Sequence, residues 1–415
     1  MVKILINAYA CCPGMGSEQG MGWNWITSLA KTGLVELFVI SEGEYREQCE
    51  RASKGLPIHW YWNPVPQTTR DKCWNQGNWS FYPLYEKWQR KTAEIAREIC
   101  AKENIDILHQ LNMIGFREPG YLADVSKETG IPLVWGPIGG LMMFPLAYAK
   151  DGGLKMLAFN WLKNTITKWQ IKHDSRVIKT LKLSSVLISS IPDSYNAIKR
   201  YHGLESVVIP ETGCSLAALK VKSEKRKEKR GNRPFEILWV GKFDFRKRLD
   251  IALKTVALLR EKNVILKVYG TGNEQQVADV CELVNALRIE NKVFFMGARP
   301  NNEVTVAMRN ADVFFFTSVS EDTSTVVLEA VSNNLPVVCF DCCGMAVVID
   351  DKVGRKVALS NPEQSVKDFA SVISDFYDNS EELIAKSANC AKRAEELSWE
   401  NKAMKMVEIY KGVVR

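Results

Sequence analysis

No apolar run of about 18 residues or more occurs in the sequence, so a membrane-crossing helix is excluded. The dinucleotide fingerprint G-x-G-x-x-G is also missing: the glycine-rich loop "PGMGSEQGMGWNW" is spaced G-x-G-x-x-x-G. The 11 cysteines are scattered, and the adjacent pairs Cys11-Cys12 and Cys342-Cys343 match no zinc spacing. Their odd number fits a disulfide framework poorly, so they read as reduced thiols. No Asp-x-Asp pair closes a strand, so no divalent metal is expected and no resident cofactor is called for. The start "MVKILINAYACCPG" reads as a strand running into a loop, not a signal peptide, which makes the cytoplasm the expected compartment.

What the sequence does contain is a globular core and an alternating pattern. Apolar residues make up 46% of 415, enough for two domains of roughly 200 residues each. The net charge of +7 is too modest to call for nucleic acid. Much of it sits in residues 150–182 and in "KVKSEKRKEKR", Lys220 to Arg230, whose mixed charges without apolar period suit a solvated linker. Before that linker "KILINAYA", "VELFVIS", "IDILHQ", "PLVWGP" and "SVLISS" read as strands, with helical patterns near 18–32, 84–103, 154–182 and 193–201. After it come "FEILWVG", "VILKVYG", "KVFFMG", "DVFFFTS" and "PVVCF", with helices near 248–262, 273–288, 302–310 and 324–333. Short apolar strands alternating with helices predict α/β architecture: two doubly wound, Rossmann-like domains facing each other across a cleft. Ligands in such folds bind at the carboxyl ends of the strands.

The candidate binding residues fall at those ends. Gly14 and Gly16 lie after the first strand, where a helix starting near Ser17 offers amides to an anion; a merely structural turn is the other reading. In "WVGKFDFRKRLD", Gly241 ends a strand, and Lys242 and Lys247 stand five apart, a pair that suits a diphosphate or is plain surface charge. In "SEDTSTVVLEAVSNNLPVVCF", Ser324 and Thr325 open a helix that can seat phosphate on its free amides, unless Asp322 itself supplies the anion. Glu329, inside that apolar helix, needs a partner because a buried lone carboxylate is costly; a ribose diol would supply one, and Glu321 could accept hydroxyls of a sugar beyond the phosphates.

Glu-x7-Glu in "EDTSTVVLE", followed by "NNLPVV", resembles the nucleotide-sugar signature of retaining glycosyltransferases of family 4, whose two-domain fold is called GT-B. "KVFFMGARPNNEV", with Arg299, looks like that family's base-binding strand and loop, and "PLVWGPIGG", "VVIPETG" and "SWENKAMKMVEIYK" are similar to further segments. With the glycine-rich loop they look like bacterial members that build surface polysaccharides such as capsule, O-antigen or exopolysaccharide. The resemblance implies domains at 1–212, rejoined by a final helix 399–415, and at 213–398. It also implies sugar transfer with retention, donor contacts from Gly14, Gly16, Gly241, Lys242, Lys247, Arg299, Glu321, Ser324, Thr325 and Glu329, and chemistry from Lys242, Lys247 and Glu321. A family histidine maps only loosely onto His109, because many relatives carry it two places later, where Leu111 stands. Thr323-Ser324 and Cys343-Gly344 replace the family's frequent Phe-Gly and Gly-Gly.

The acceptor, a glycan or a lipid-linked glycan, is expected on the first domain, where "WYWNP", "CWNQGNWSFYPLYEKWQRK" and the segment after Gly153 combine tryptophan with lysine and arginine. Periodicity around Leu157, Trp161, Leu162 and Trp169 beside Lys155, Lys163, Lys168 and Lys172 suits a helix lying on an anionic inner membrane, with a plain core as the alternative. Two rival readings are a non-catalytic nucleotide-sugar-binding protein on the same fold and an oxidoreductase holding a dinucleotide ribose with Glu42.

Overall fold

The structure, a computed structural model, describes residues 1–73, 80–215 and 233–414. The expected linker "KVKSEKRKEKR" therefore lies outside the described residues, as does part of "CWNQGNWSFYPLYEKWQRK". The chain divides into two compact units: Met1–Leu141, Ile166–Glu211 and Trp399–Arg415 form one, Met142–Thr165 and Thr212–Ser398 the other.

The first unit is built on a seven-stranded sheet of β1 (Val2–Ala8), β2 (Val35–Ser41), β3 (Ile58–Trp62), β4 (Ile107–Asn112), β5 (Leu133–Ile138), β6 (Ser184–Ser189) and β7 (Val207–Val208). Their order is β3-β2-β1-β4-β5-β6-β7, with parallel pairing throughout. All six residues of β4 are buried, as expected of a strand covered on both faces. Helix α1 (Ser17–Lys31) and the final helix α4 (Trp399–Val414) pack together on this sheet, with the rings of Trp25 and Trp399 edge to face at 5.7 Å between centroids. Ala403, Met406, Val407 and Tyr410 of the final helix join the same core, and Lys402 donates to the Pro210 carbonyl at 2.9 Å.

The second unit carries six parallel strands, β8 (Phe235–Val240), β9 (Val264–Tyr269), β10 (Val293–Gly297), β11 (Val313–Phe316), β12 (Val337–Phe340) and β13 (Gly354–Val357), in the order β10-β9-β8-β11-β12-β13. Its inner strands β11, VFFF, and β12, VVCF, are wholly buried.

The structure departs from the sequence reading in several places, three of which bear on the expected surfaces and domains. Strand β3, "IHWYW", is not among the strands expected from the sequence and overlaps the tryptophan-rich "WYWNP"; Trp60 and Trp62 stack at 5.0 Å on this sheet-edge strand. The single helix read at 154–182 is two, α2 (Gly153–His173) and another at Ser175–Leu183, because Asp174 caps the second by accepting from the amides of Arg176 and Val177. Residues 142–165 group with the second unit and not with 1–212. Their anchors explain it: the Tyr148 hydroxyl meets Ser365 Oγ at 2.6 Å, Asn164 bonds both backbone groups of Phe144, and Phe144 stacks on Phe245.

Candidate functional site

The carboxyl end of β8 is where the second unit becomes chemically distinctive. The Gly241 amide donates to Tyr269 O at 2.9 Å, and Gly270 lies so close that a Cβ there would come within 1.8 Å of the Gly241 carbonyl. Two backbones touch here, which only glycine allows. The chain then turns through a short 3₁₀ segment, Phe245–Lys247, capped by Asp244, whose Oδ1 accepts from the Arg246 amide at 3.2 Å. Lys242, before this turn, is exposed and meets no acidic partner among the described residues.

Lys247 is held very differently. Thr317 Oγ1, which accepts from Trp239 Nε1 at 3.0 Å, donates to the Lys247 carbonyl at 2.7 Å. The Lys247 ammonium lies 4.9 Å from the centre of the Phe316 ring and is ion-paired with Glu321. Arg246 is paired with the same Glu321 oxygen, Oε1, and Ser318 Oγ donates to it at 3.0 Å. Burial holds Lys247 below the usual lysine range, and the Glu321 carboxylate opposes that shift. A desolvated ammonium within a ring of donors is preorganised for an anion.

Sequence reasoning gave Lys247 and Glu321 separate tasks, diphosphate and sugar; the structure pairs them with each other. It also adds Arg246 and Ser318, which the sequence reading passed over. Arg246 adjoins Lys247 and Ser318 stands three residues before Glu321, but only the turn shows them converging.

Helix α3 (Thr325–Ser332) begins just after this cluster. Ser324 is its N-cap residue, mostly buried, yet its side chain caps no amide of the helix, and Thr325 is exposed at the first turn. A helix start offers amides and the positive end of its dipole to an anion. Glu329 lies four residues past Thr325. Burial raises its carboxyl above the usual range, and its side-chain contact is a long 3.4 Å hydrogen bond from Asn301 Nδ2. Beyond the next strand, Cys343 takes a left-handed φ of 56°, and Gly344 donates to the Asp322 carbonyl at 2.9 Å. The left-handed turn thus carries a cysteine where the resembling family often has glycine, at some cost in strain.

Arg299 follows β10, exposed, its Nε donating to Met296 O at 2.8 Å. Phe294 and Phe295 on that strand are partly exposed, and Phe295 packs edge to face against Phe243 at 6.2 Å. An aromatic surface with a cation at its rim suits a base.

In the first unit the expected residues fare otherwise. His109 lies on β4, fully buried, and both ring nitrogens are occupied: Nδ1 meets the Tyr410 hydroxyl at 2.6 Å and Nε2 the Gly136 carbonyl at 2.7 Å. Nε2 therefore carries the proton and Nδ1 accepts from Tyr410. Burial lowers its pKa to about 4. Buried with both nitrogens engaged, His109 has the geometry of a structural histidine, the alternative to the catalytic role considered for it; Leu111 is buried as well. Gly14, at φ +73°, and Gly16, the N-cap residue of α1, stand exposed after β1. The helix behind them is wedged close, since a Cβ on Gly20 would come within 1.9 Å of Met15 O. Glu42, the ribose candidate of the oxidoreductase reading, is buried in an ion pair with Arg70, and its Oε1 accepts from the Glu44 amide. Its oxygens are already engaged, which removes that reading's central contact.

Residues 220–397 match the family described as glycosyl transferases group 1. The fold is GT-B. It is shared with a glycosyltransferase of Rickettsia africae, at a TM-score of 0.64 and 15% identity over 100% of this chain and 99% of that one. A lipopolysaccharide outer core galactosyltransferase in its apo form superposes at 0.64, with 16% identity over 99% and 100%. An Anabaena protein in complex with UDP and glucose does so at 0.60, again with 16% identity over 99% and 100%. Among curated sequences, an uncharacterized glycosyltransferase of Methanocaldococcus jannaschii is 29% identical over 42% of this chain and 44% of its own. A D-inositol 3-phosphate glycosyltransferase of Corynebacterium kroppenstedtii is 26% identical over 43% and 41%. The chain spans less than half the length of these curated relatives.

Proposed function

We propose that the protein is a retaining, family 4-type glycosyltransferase that moves a sugar from a nucleotide-diphosphate sugar to a glycan or lipid-linked acceptor, in bacterial surface-polysaccharide synthesis at the cytoplasmic face of the membrane. The observation that carries the reading is the convergence of Lys247, Arg246 and Ser318 on Glu321, directly before a helix start and Glu329, all inside the matched region. The solved structures of an Anabaena protein with UDP and glucose and of a lipopolysaccharide outer core galactosyltransferase, which share this fold, support the donor class and the pathway.

In the reaction the bond from the anomeric carbon to the diphosphate breaks while one to the acceptor hydroxyl oxygen forms, so negative charge grows on the departing nucleoside diphosphate, whose phosphate oxygen on the same face takes the hydroxyl proton. Lys247 and Lys242 meet that charge as cations, and the α3 amides meet it as aligned dipoles. No metal enters this scheme. Glu329, with its carboxyl ionised, accepts from the ribose hydroxyls, and Phe295 with Arg299 flanks the base. Glu321 does two things: it orients Lys247 in the free protein and accepts sugar hydroxyls once the phosphates engage the cations. The test is release of nucleoside diphosphate across a panel of nucleotide sugars, with glycan, lipid-linked and inositol phosphate acceptors. Tight donor binding with no release under any acceptor would make the protein a binding module; no donor binding at all would overturn the assignment.

A further inference from the structure

Helix α2 is built inside out. Its inward side is polar: Asn160, Asn164 and Thr167 are 4%, 8% and 2% exposed. Asn164 is spent on the backbone of Phe144, and Thr167 accepts from Arg117 at 2.6 Å. Its outward side is apolar: Leu154, Phe159, Trp161, Leu162, Ile166 and Trp169 are between 45% and 85% exposed. At about 100° per residue these six fall within one continuous stripe about 160° wide. Lys163 and Lys168 stand on its two edges, and Lys155 and Lys172 lie near its ends. A core explanation for the tryptophans fails, because they point to solvent while asparagine and threonine face inward.

We propose that this face of α2 docks the protein on an anionic lipid bilayer. The occupant follows from the chemistry of the stripe. Tryptophans beside a wide apolar face suit the depth of the headgroup boundary, and edge lysines can bury their stems while their ammonium groups reach lipid phosphates. No described helix is long and apolar enough to cross a membrane, so contact lies in the interface plane. The inference deepens the proposed function by naming the element that brings a lipid-linked acceptor within reach, and it rests on that reading only for the acceptor.

Sedimentation of the full chain with phosphatidylcholine vesicles, with and without phosphatidylglycerol, tests the docking without donor or acceptor. Wild type is expected to sediment with the anionic vesicles and to be released by salt. The double variant Trp161→Ser/Trp169→Ser should bind them on the order of tenfold more weakly. Lys163→Glu/Lys168→Glu should lose about fivefold per charge on anionic vesicles only. Because all four side chains are exposed, circular dichroism and the melting temperature should not move. Wild type that ignores both vesicle types overturns the proposal, as does binding untouched by the tryptophan variant. So does a concentration-dependent dimer abolished by that variant without vesicle binding, which would assign the stripe to a second copy. Nucleoside diphosphate release from nucleotide-sugar donors in the presence of a water-soluble acceptor analogue, measured on the same variants, reads the catalytic assignment separately.

Discussion

Two polar clusters, one in each unit, show how differently the same kinds of side chain can be used. In the first unit His109, Tyr410 and the Gly136 carbonyl form a closed set: one donor for each acceptor, no exposure, and a ring kept neutral by burial. In the second unit Lys247, Arg246 and Ser318 crowd one oxygen of Glu321 at the rim of a strand end, with more donors than that oxygen needs. A satisfied cluster can only hold the fold together. An over-supplied one retains donors for a ligand, and its lysine is already partly desolvated.

The sharpest way to break this contrast is Lys247→Ala. Donor turnover should fall by about two to three orders of magnitude, the range for losing one preorganised donor to developing charge. The melting temperature should barely change, because Arg246 still pairs with Glu321. Unchanged nucleoside diphosphate release with a lowered melting temperature would make the second cluster as structural as the first. Lys242→Ala, which breaks no contact with a described residue, should lower turnover with no stability cost.

His109→Leu tests the other side. It leaves the Tyr410 hydroxyl and the Gly136 carbonyl buried without their partner, at a cost of about 2–3 kcal/mol in urea unfolding. Turnover per folded molecule should hold. Lost turnover in a variant of full stability would return His109 to the chemistry.

A smaller effect is expected at Glu329. Glu329→Gln exchanges a charged acceptor for a neutral amide and should weaken donor binding by ~1–3 kcal/mol in calorimetry. Since burial raises the Glu329 pKa, a rising share of the wild type is protonated as the solution turns mildly acidic. Donor affinity should therefore fall with pH in the wild type and stay flatter in the variant. Equal affinity and equal pH dependence would remove Glu329 from the ribose.

A further signal is the pH dependence of stability due to His109. Its pKa in the fold, about 4, lies below its ordinary value of 6.5, so the stability it contributes is complete above 6.5 and is lost as pH falls towards 4. The melting temperature of wild type should decline over that window more than that of His109→Leu, and parallel curves would contradict the neutral buried ring.

The layered α/β architecture was legible because it is written in local periodicity. Strands such as "VFFFTS" and "PVVCF" are apolar throughout when both faces are covered, and a final segment such as "SWENKAMKMVEIYK" shows its buried face at helical spacing. The donor-site candidates were chosen for a related reason: Gly241 and Lys242 follow β8 directly, and Glu321, Ser324 and Thr325 lie in the loop and helix start after β11, on the side where such folds bind ligands. What sequence spacing could not report is which side chains meet through space. It could not pair Lys247 with Glu321 seventy-odd residues on, or bring Arg246 and Ser318 to the same oxygen. Nor could it close His109 against a tyrosine 301 residues away. It placed tryptophan and lysine on α2 but left open which side faced inward. Periodicity fixes which residues share a face, whereas the packing of Asn164 on Phe144 and of Thr167 on Arg117 decides which face is buried.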